Sequence, residues 1–271
     1  MIIDVHAHVF PPKIAGATLD ALSRASGNLP SSDGTLDGLA RACTQADVDV
    51  AVNMPVLTKP SQFDSANRFA AEINSRFCGR GVTSFAGIHP LCEDVEGKVK
   101  EICERGFLGI KIHPDYQGTF IDDDAYYAVL KHAKDRGLVV LTHAGVDMGF
   151  PGAPVRCTPE RVLALLNRLG GYDRLVLAHL GGSQMADEVI DRLCGQNVMF
   201  DTSFDLANVP AEKFKKIVEL HGADRILFGT DSPWRAAAEL VLRLKGFGLS
   251  EEEEGKILGE NARRLLNLGE I

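Results

Sequence analysis

Apolar residues recur along the chain in eight short runs at roughly even spacing, and the segments between them carry helical periodicity. The pattern predicts strands near 2–8, 48–54, 82–88, 107–113, 138–143, 174–179, 197–202 and 225–231. It predicts helices near 35–46, 61–79, 93–105, 123–136, 158–169, 184–194, 210–221 and 250–267. Runs such as Leu138 to Leu141 and Leu175 to Ala178 are apolar on both faces, as parallel strands are when helices cover one side and packed side chains the other. Helix starts are marked by Thr158-Pro159-Glu160 and by Ser250 before the acidic run Glu251 to Glu254. Gly106, Gly137, Gly170 and Gly222 follow helix ends. Segments 9–34 and 144–157 are rich in Gly, Pro and small polar residues and read as long loops. An open doubly wound sheet and a closed barrel share this rhythm; the count of eight favours an α/β fold of the (β/α)8 TIM-barrel type, as a single domain over 1–271.

Closure is favoured further by what ends the runs. The first ends in His6-Ala7-His8, the fifth in His143, the sixth in His179 and the eighth in Asp231. A barrel gathers strand ends around one mouth, where such residues can share an ion; an open sheet would hold the first and last far apart. Residues two apart on a strand face the same side, so both imidazoles of His6 and His8 can reach one metal, with Asp4 one layer deeper. Small residues follow His143 and His179, in Ala144-Gly145 and Gly181-Gly182, and allow close backbone approach. Asp231 can bind an ion and accept a proton from metal-bound water, or merely cap the turn through Ser232-Pro233.

The fourth run offers Lys111 and His113, on one face and about 7 Å apart. A carbamylated Lys111 would indicate two ions; an unmodified Lys111, the reading favoured here, indicates one ion and a charge for an anionic substrate. His89, after the third run, either faces the mouth or sits in a turn before Pro90. Arg156 on the fifth loop either clamps a substrate carboxylate or is a solvated charge, and Trp234 either walls the pocket or packs. His132 and His221 fall within helices and are assigned no role.

Taken together, the His6-Ala7-His8 motif, His143, the run Ala178-His179-Leu180-Gly181-Gly182, the run Gly229-Thr230-Asp231-Ser232-Pro233-Trp234 and the closing Asn261-Ala262-Arg263-Arg264-Leu265-Leu266 resemble the amidohydrolase superfamily, in particular its amidohydrolase-related branch. The resemblance covers the whole chain. It implies a (β/α)8 barrel with one or two divalent ions, usually zinc, on His6, His8, His143 and Asp231. It also implies His179 beside the ion as second-metal ligand or proton donor and acceptor. Members hydrolyse C–N and C–O bonds, open lactones or decarboxylate aromatic acids.

The leading expectation is a metal-dependent hydrolase of a small amide, ester or lactone that carries negative charge, with Asp231 and His179 catalytic. The alternative is a non-oxidative decarboxylase, and a metal-binding barrel without catalysis is the remaining one. A formal charge of −8 with no basic cluster argues against nucleic acid, which keeps a deoxyribonuclease out of favour. Nothing apolar approaches a membrane span, no leader is visible, and six scattered cysteines without a C-x-x-C pair read as reduced thiols. These point to a cytoplasmic enzyme with a small-molecule substrate, and a homo-oligomer is compatible with them.

Overall fold

The computed structural model describes residues 1–79 and 81–269. Its strands are β1 (Ile3–Ala7), β2 (Val50–Asn53), β3 (Gly81–Ser84), β4 (Ala86–Gly87), β5 (Gly109–Ile112), β6 (Val139–Thr142), β7 (Leu175–Leu177), β8 (Met199–Asp201) and β9 (Ile226–Leu227). All pair in parallel with their sequence neighbours, in one ladder of β1 to β3 and another of β4 to β9. The break falls at Phe85, inside the run expected at 82–88. Asn74 takes the Ser84 N–H and C=O at 2.6 and 3.0 Å, and Asn67 does the same for Gly87 at 2.8 and 2.9 Å. Both asparagines project from the helix Phe63–Asn74, so this stave is clasped by side chains where a ladder would otherwise run.

The first and last staves meet through backbone hydrogen bonds. Val5 N–H donates to Phe228 at 2.9 Å, Asp231 N–H to His6 at 2.7 Å and His8 N–H to Ser232 at 2.6 Å. Along β6 the side chains alternate: Val139 and Leu141 join an inner cluster with Val5, Val52 and Val176, while Val140 faces the helices. The result is a parallel α/β barrel with one core inside the staves and another between staves and helices.

Three expectations are corrected. Segment 9–34 contains the helix Pro12–Ser26, which buries Ala15 and Leu19 at helical spacing, starts on Pro12 and closes on a left-handed Gly27. The glycine and proline content masked that short apolar stripe. An unexpected helix, Ala237–Lys245, buries Ala237, Leu240, Val241 and Leu244. The helix expected over 250–267 is α-helical at Glu251–Gly255 and Asn261–Leu265, with a π-helical turn, Lys256–Glu260, between. Segment 144–157 is loop apart from an isolated bridge at Gly145. Among the described residues no helix is long and apolar enough to cross a membrane.

Candidate metal centre

The strand period of two brings both imidazoles of β1 to the barrel mouth: His6 is buried inside the barrel, and His8 lies just beyond the strand with 12 % of its side chain exposed. Asp231 comes from the segment after β9, with its Oδ1 3.4 Å from His6 Nε2 and 3.0 Å from His8 Nε2. A donor atom from each of the three lies within 4.8 Å of the others. Bonds of about 2.0–2.2 Å to one ion require donors no more than roughly 4.4 Å apart, so the 3.4 and 3.0 Å separations suit a shared divalent cation.

The far side of each ring sets its tautomer. His6 Nδ1–H donates to Asp201 Oδ2 at 2.9 Å and His8 Nδ1–H to the Met54 carbonyl at 2.8 Å, which leaves both Nε2 lone pairs facing the mouth. Burial holds His6 down to about 4, so the ring is neutral at pH 7. Burial alone would raise Asp201, yet His6, and Ser203 through its hydroxyl, outweigh it and keep this carboxyl below its usual range. Its Oδ1 also accepts from the backbone of His179 and Ser203 at 3.1 and 2.9 Å. Asp231 is likewise depressed against burial, by the neighbouring imidazoles of His8, His6 and His179. Two imidazole nitrogens and a carboxylate oxygen are a donor set that fits a divalent ion with room for a further ligand.

Lys111 on β5 reaches across the barrel, with Nζ donating to His6 Nε2 at 2.9 Å. Burial brings its ammonium down to about 8. His179 Nδ1–H donates to the Ser203 carbonyl at 3.0 Å, so its Nε2 accepts from His143 Nδ1–H, also at 3.0 Å. His143 Nε2 is therefore a lone pair; it is buried without a partner and faces Asp115 Oδ2, equally unpartnered, at 3.7 Å. His113 stacks on His143 at 4.3 Å between ring centroids and points Nε2 at Asp147 Oδ2, 3.4 Å away.

Three of these positions lie where the backbone itself is bent. His179, Leu180 and Asp231 have φ of 59°, 55° and 63°, a left-handed conformation seldom adopted outside glycine. Leu180 N–H on the Asp201 carbonyl (2.6 Å) and Trp234 N–H on the Asp231 carbonyl (2.8 Å) hold these turns.

The expected residues thus fall into two groups around one mouth. His6, His8 and Asp231 form the first, with Lys111 against it; His143 and His113 lie with Asp147 in the second, and His179 bridges the two. His89 accepts from Leu91 N–H in its turn, and Trp234 is half-buried after the Asp231 turn. Arg156 ends on Asp115, with Nη1 at 3.4 Å from Oδ1, its guanidinium engaged with this chain's own carboxylate. Sequence reasoning passed over Asp201, Ser203, Asp115 and Asp147. Asp201 ends the apolar run Val198-Met199-Phe200 as the histidines end theirs, so the signal was present; Asp115 and Asp147 stand in loops, where no periodicity marks them.

Comparison with solved structures gives matches along nearly the full chain. An uncharacterised TIM-barrel protein from Bordetella bronchiseptica is 18% identical, with a TM-score of 0.73 and 98% of each chain covered. A candidate 2-pyrone-4,6-dicarboxylic acid hydrolase from Pseudomonas putida is 18% identical (TM-score 0.69; 100% of this chain, 98% of that one). A dihydroxybenzoic acid decarboxylase from a Polaromonas species, with bound manganese and the inhibitor 2-nitroresorcinol, is 17% identical (TM-score 0.68; 100% and 98%). No curated protein matches. The amidohydrolase family model, by contrast, matches residues 3–268, from the strand that carries the paired histidines to the closing helix, and the chain belongs to that family.

Proposed function

We propose that the chain is a metal-dependent hydrolase of a small amide, ester or lactone bearing a negative charge. The observation that carries this reading is the convergence of His6 Nε2, His8 Nε2 and Asp231 Oδ1, with both rings held from behind by Asp201 and the Met54 carbonyl. These three would hold a divalent ion, with zinc the first choice for a nitrogen-rich set. When bound there, such an ion supplies Lewis-acid polarisation of a carbonyl and brings the pKa of water to about 7.

The protein's own groups supply the rest. Asp231, ionised at neutral pH, takes the proton of the attacking water; the water oxygen bonds to the carbonyl carbon, the bond to nitrogen or oxygen breaks, and Asp231 returns the proton to the departing atom. His179, donating Nδ1–H to Ser203 and accepting from His143 Nδ1–H with Nε2, is held beside the His6 ring and would orient the substrate there. Lys111, buried beside His6, meets the anionic part of the substrate.

A second reading, non-oxidative decarboxylation, draws support from the manganese-bearing decarboxylase of the same fold. In that reaction the C–C bond to the carboxylate breaks, carbon dioxide leaves, and the carbon left behind takes a proton that His179 or Asp231 has first drawn from water. The test is a screen of amides, lactones and aryl carboxylic acids with zinc- or manganese-loaded protein in ¹⁸O-water. Hydrolysis predicts ¹⁸O in the product acid, and Asp231→Asn should lose roughly 10²–10⁴-fold in turnover. Release of carbon dioxide without ¹⁸O uptake would replace hydrolysis with the second reading.

A further inference from the structure

Arg235 follows the Asp231 turn and is half-buried beside the mouth. Its Nη1–H donates to the Trp234 carbonyl at 3.2 Å, while Nε is buried with no hydrogen bond. The guanidinium carbon sits 4.0 Å over the centre of the Phe204 ring, and among the described residues it pairs with no carboxylate. The other cations around the mouth are engaged: Arg156 with Asp115, Lys213 with Asp187 and Lys111 with His6. A guanidinium stays charged in any folded setting, so one held without an anion is equipped to receive one.

Phe204, the platform beneath it, is held in a strained turn. Its φ of 58° and ψ of −57° make the rarer form of γ-turn, closed by Asp205 N–H on the Ser203 carbonyl at 2.6 Å. From that turn the ring meets two neighbours, the Arg235 guanidinium and, with ring centroids 6.4 Å apart, His179. Ser203, one residue back, carries the oxygens that meet His6 and His179, so the metal centre and the Arg235 platform are built from adjacent positions. A cavity of about 590 Å³ is lined by Phe204, Arg235, Met148 and Gln184. The acids that share it leave Arg235 free. Asp205 accepts from the Ser183 hydroxyl and Gln184 N–H at 2.9 and 3.1 Å, Asp187 holds Lys213, and Glu188 is exposed.

We infer that Arg235, seated on Phe204, binds a substrate carboxylate remote from the reacting carbon, and so selects acids whose apolar body passes Phe204 and Met148. Lys111 is 1 % exposed and hydrogen-bonded to His6 Nε2, so it meets charge only at the reacting end; Arg235 meets it at the other. A planar guanidinium offers a carboxylate two parallel N–H groups while its face stays on the aromatic ring. The inference rests on the reading of an anionic substrate at this mouth, and it holds for hydrolysis and decarboxylation alike.

The test uses purified full-length chain, metal-stripped and zinc-loaded in parallel, in calorimetric titrations with 4-carbamoylbenzoate and its neutral counterpart 4-(hydroxymethyl)benzamide. We expect the wild type to bind the anion about 10–100-fold more tightly than the neutral probe in both forms. In Arg235→Gln the two probes should bind equally, whereas Arg235→Lys should keep part of the preference, as a point charge without the fork. A residue that merely braced the loop would weaken both probes together, and melting of each variant checks that it is folded. Absence of any preference for the anion in the wild type overturns the inference, and the anionic-substrate reading with it. A preference that survives Arg235→Gln overturns the inference alone, as does one confined to the zinc-loaded protein or abolished only by Lys111→Met. Failure of hydrolysis is a separate result, seen as missing ¹⁸O uptake with the binding preference intact.

Discussion

At the scale of single residues, the outer partner of a ligand matters nearly as much as the ligand. Asp201 fixes the His6 tautomer, and Asp201→Asn would offer an amide where a carboxylate now accepts four hydrogen bonds, from His6, Ser203 and two backbone N–H groups. Metal affinity should fall by about 10–100-fold with the fold intact, which competition against a chelator would detect; unchanged affinity would remove Asp201 from the centre. His221, far from the mouth, makes a cleaner acid-sensitivity probe. It stacks on Phe200 at 3.8 Å, accepts from Gly195 N–H and donates to the Val198 carbonyl, and burial holds it at about 4. Its folded value lies below the unfolded 6.5, so the unfolded chain binds the extra proton. Stability from this residue is complete above pH 6.5 and is lost as pH falls toward 4, by up to roughly 3 kcal/mol. Urea unfolding at pH 7, 6 and 5 should show the decline, and His221→Gln should flatten it.

At the scale of elements, staves supply direction and the turns after them supply geometry. Gly145, two residues past His143, has φ of 84°, and its backbone lies so close to Gly182 and Ser183 that a Cβ would collide with them. Its N–H donates to Cys157, Val146 N–H donates to Ser183, and Ser183 N–H to Ala144, tying the fifth and sixth loops together. Gly145→Ala should therefore lower the melting temperature by several degrees and displace both His143 and His179; a neutral result would show that these loops float independently. Thr158→Ala, which removes the oxygen that accepts Arg161 N–H at 3.3 Å, should cost about 1 kcal/mol in unfolding experiments and leave metal binding alone.

These elements also show what the sequence reveals and what it hides. Apolar runs ending in His6, His143, His179 and Asp231 are legible because burial forces a regular pattern and a polar residue at its end breaks it. The helix Pro12–Ser26 is hidden because only Ala15 and Leu19 of its fifteen residues are buried, leaving little periodic signal. The side-chain clasp of Asn67 and Asn74 on the third stave depends on a helix meeting a strand in space, which no local pattern encodes. Which nitrogen each histidine turns inward is decided by Asp201, Met54 and Ser203, residues tens to nearly two hundred positions away.

At the scale of the whole molecule, the seam between first and last staves is the decisive join. Asp4 lies beneath it, with Oδ1 accepting the N–H groups of His6 and Thr230 at 3.0 and 2.9 Å and Oδ2 accepting the Thr230 hydroxyl at 2.6 Å. Asp4→Ala strands those three buried donors at about 1–3 kcal/mol each before relaxation, so it should destabilise the chain strongly. Asp4→Asn, which keeps the acceptor oxygen, should restore most of the loss. Equal damage from both would mean that the negative charge, rather than the hydrogen bonds, holds the seam.

That join links positions 226 residues apart, and it has a consequence for synthesis of the chain. On the ribosome, His6 and His8 emerge well before Asp231, which follows only when the last stave has been translated. A nascent chain arrested before that point should therefore carry paired imidazoles without their carboxylate, so high-affinity metal uptake waits for the last stave.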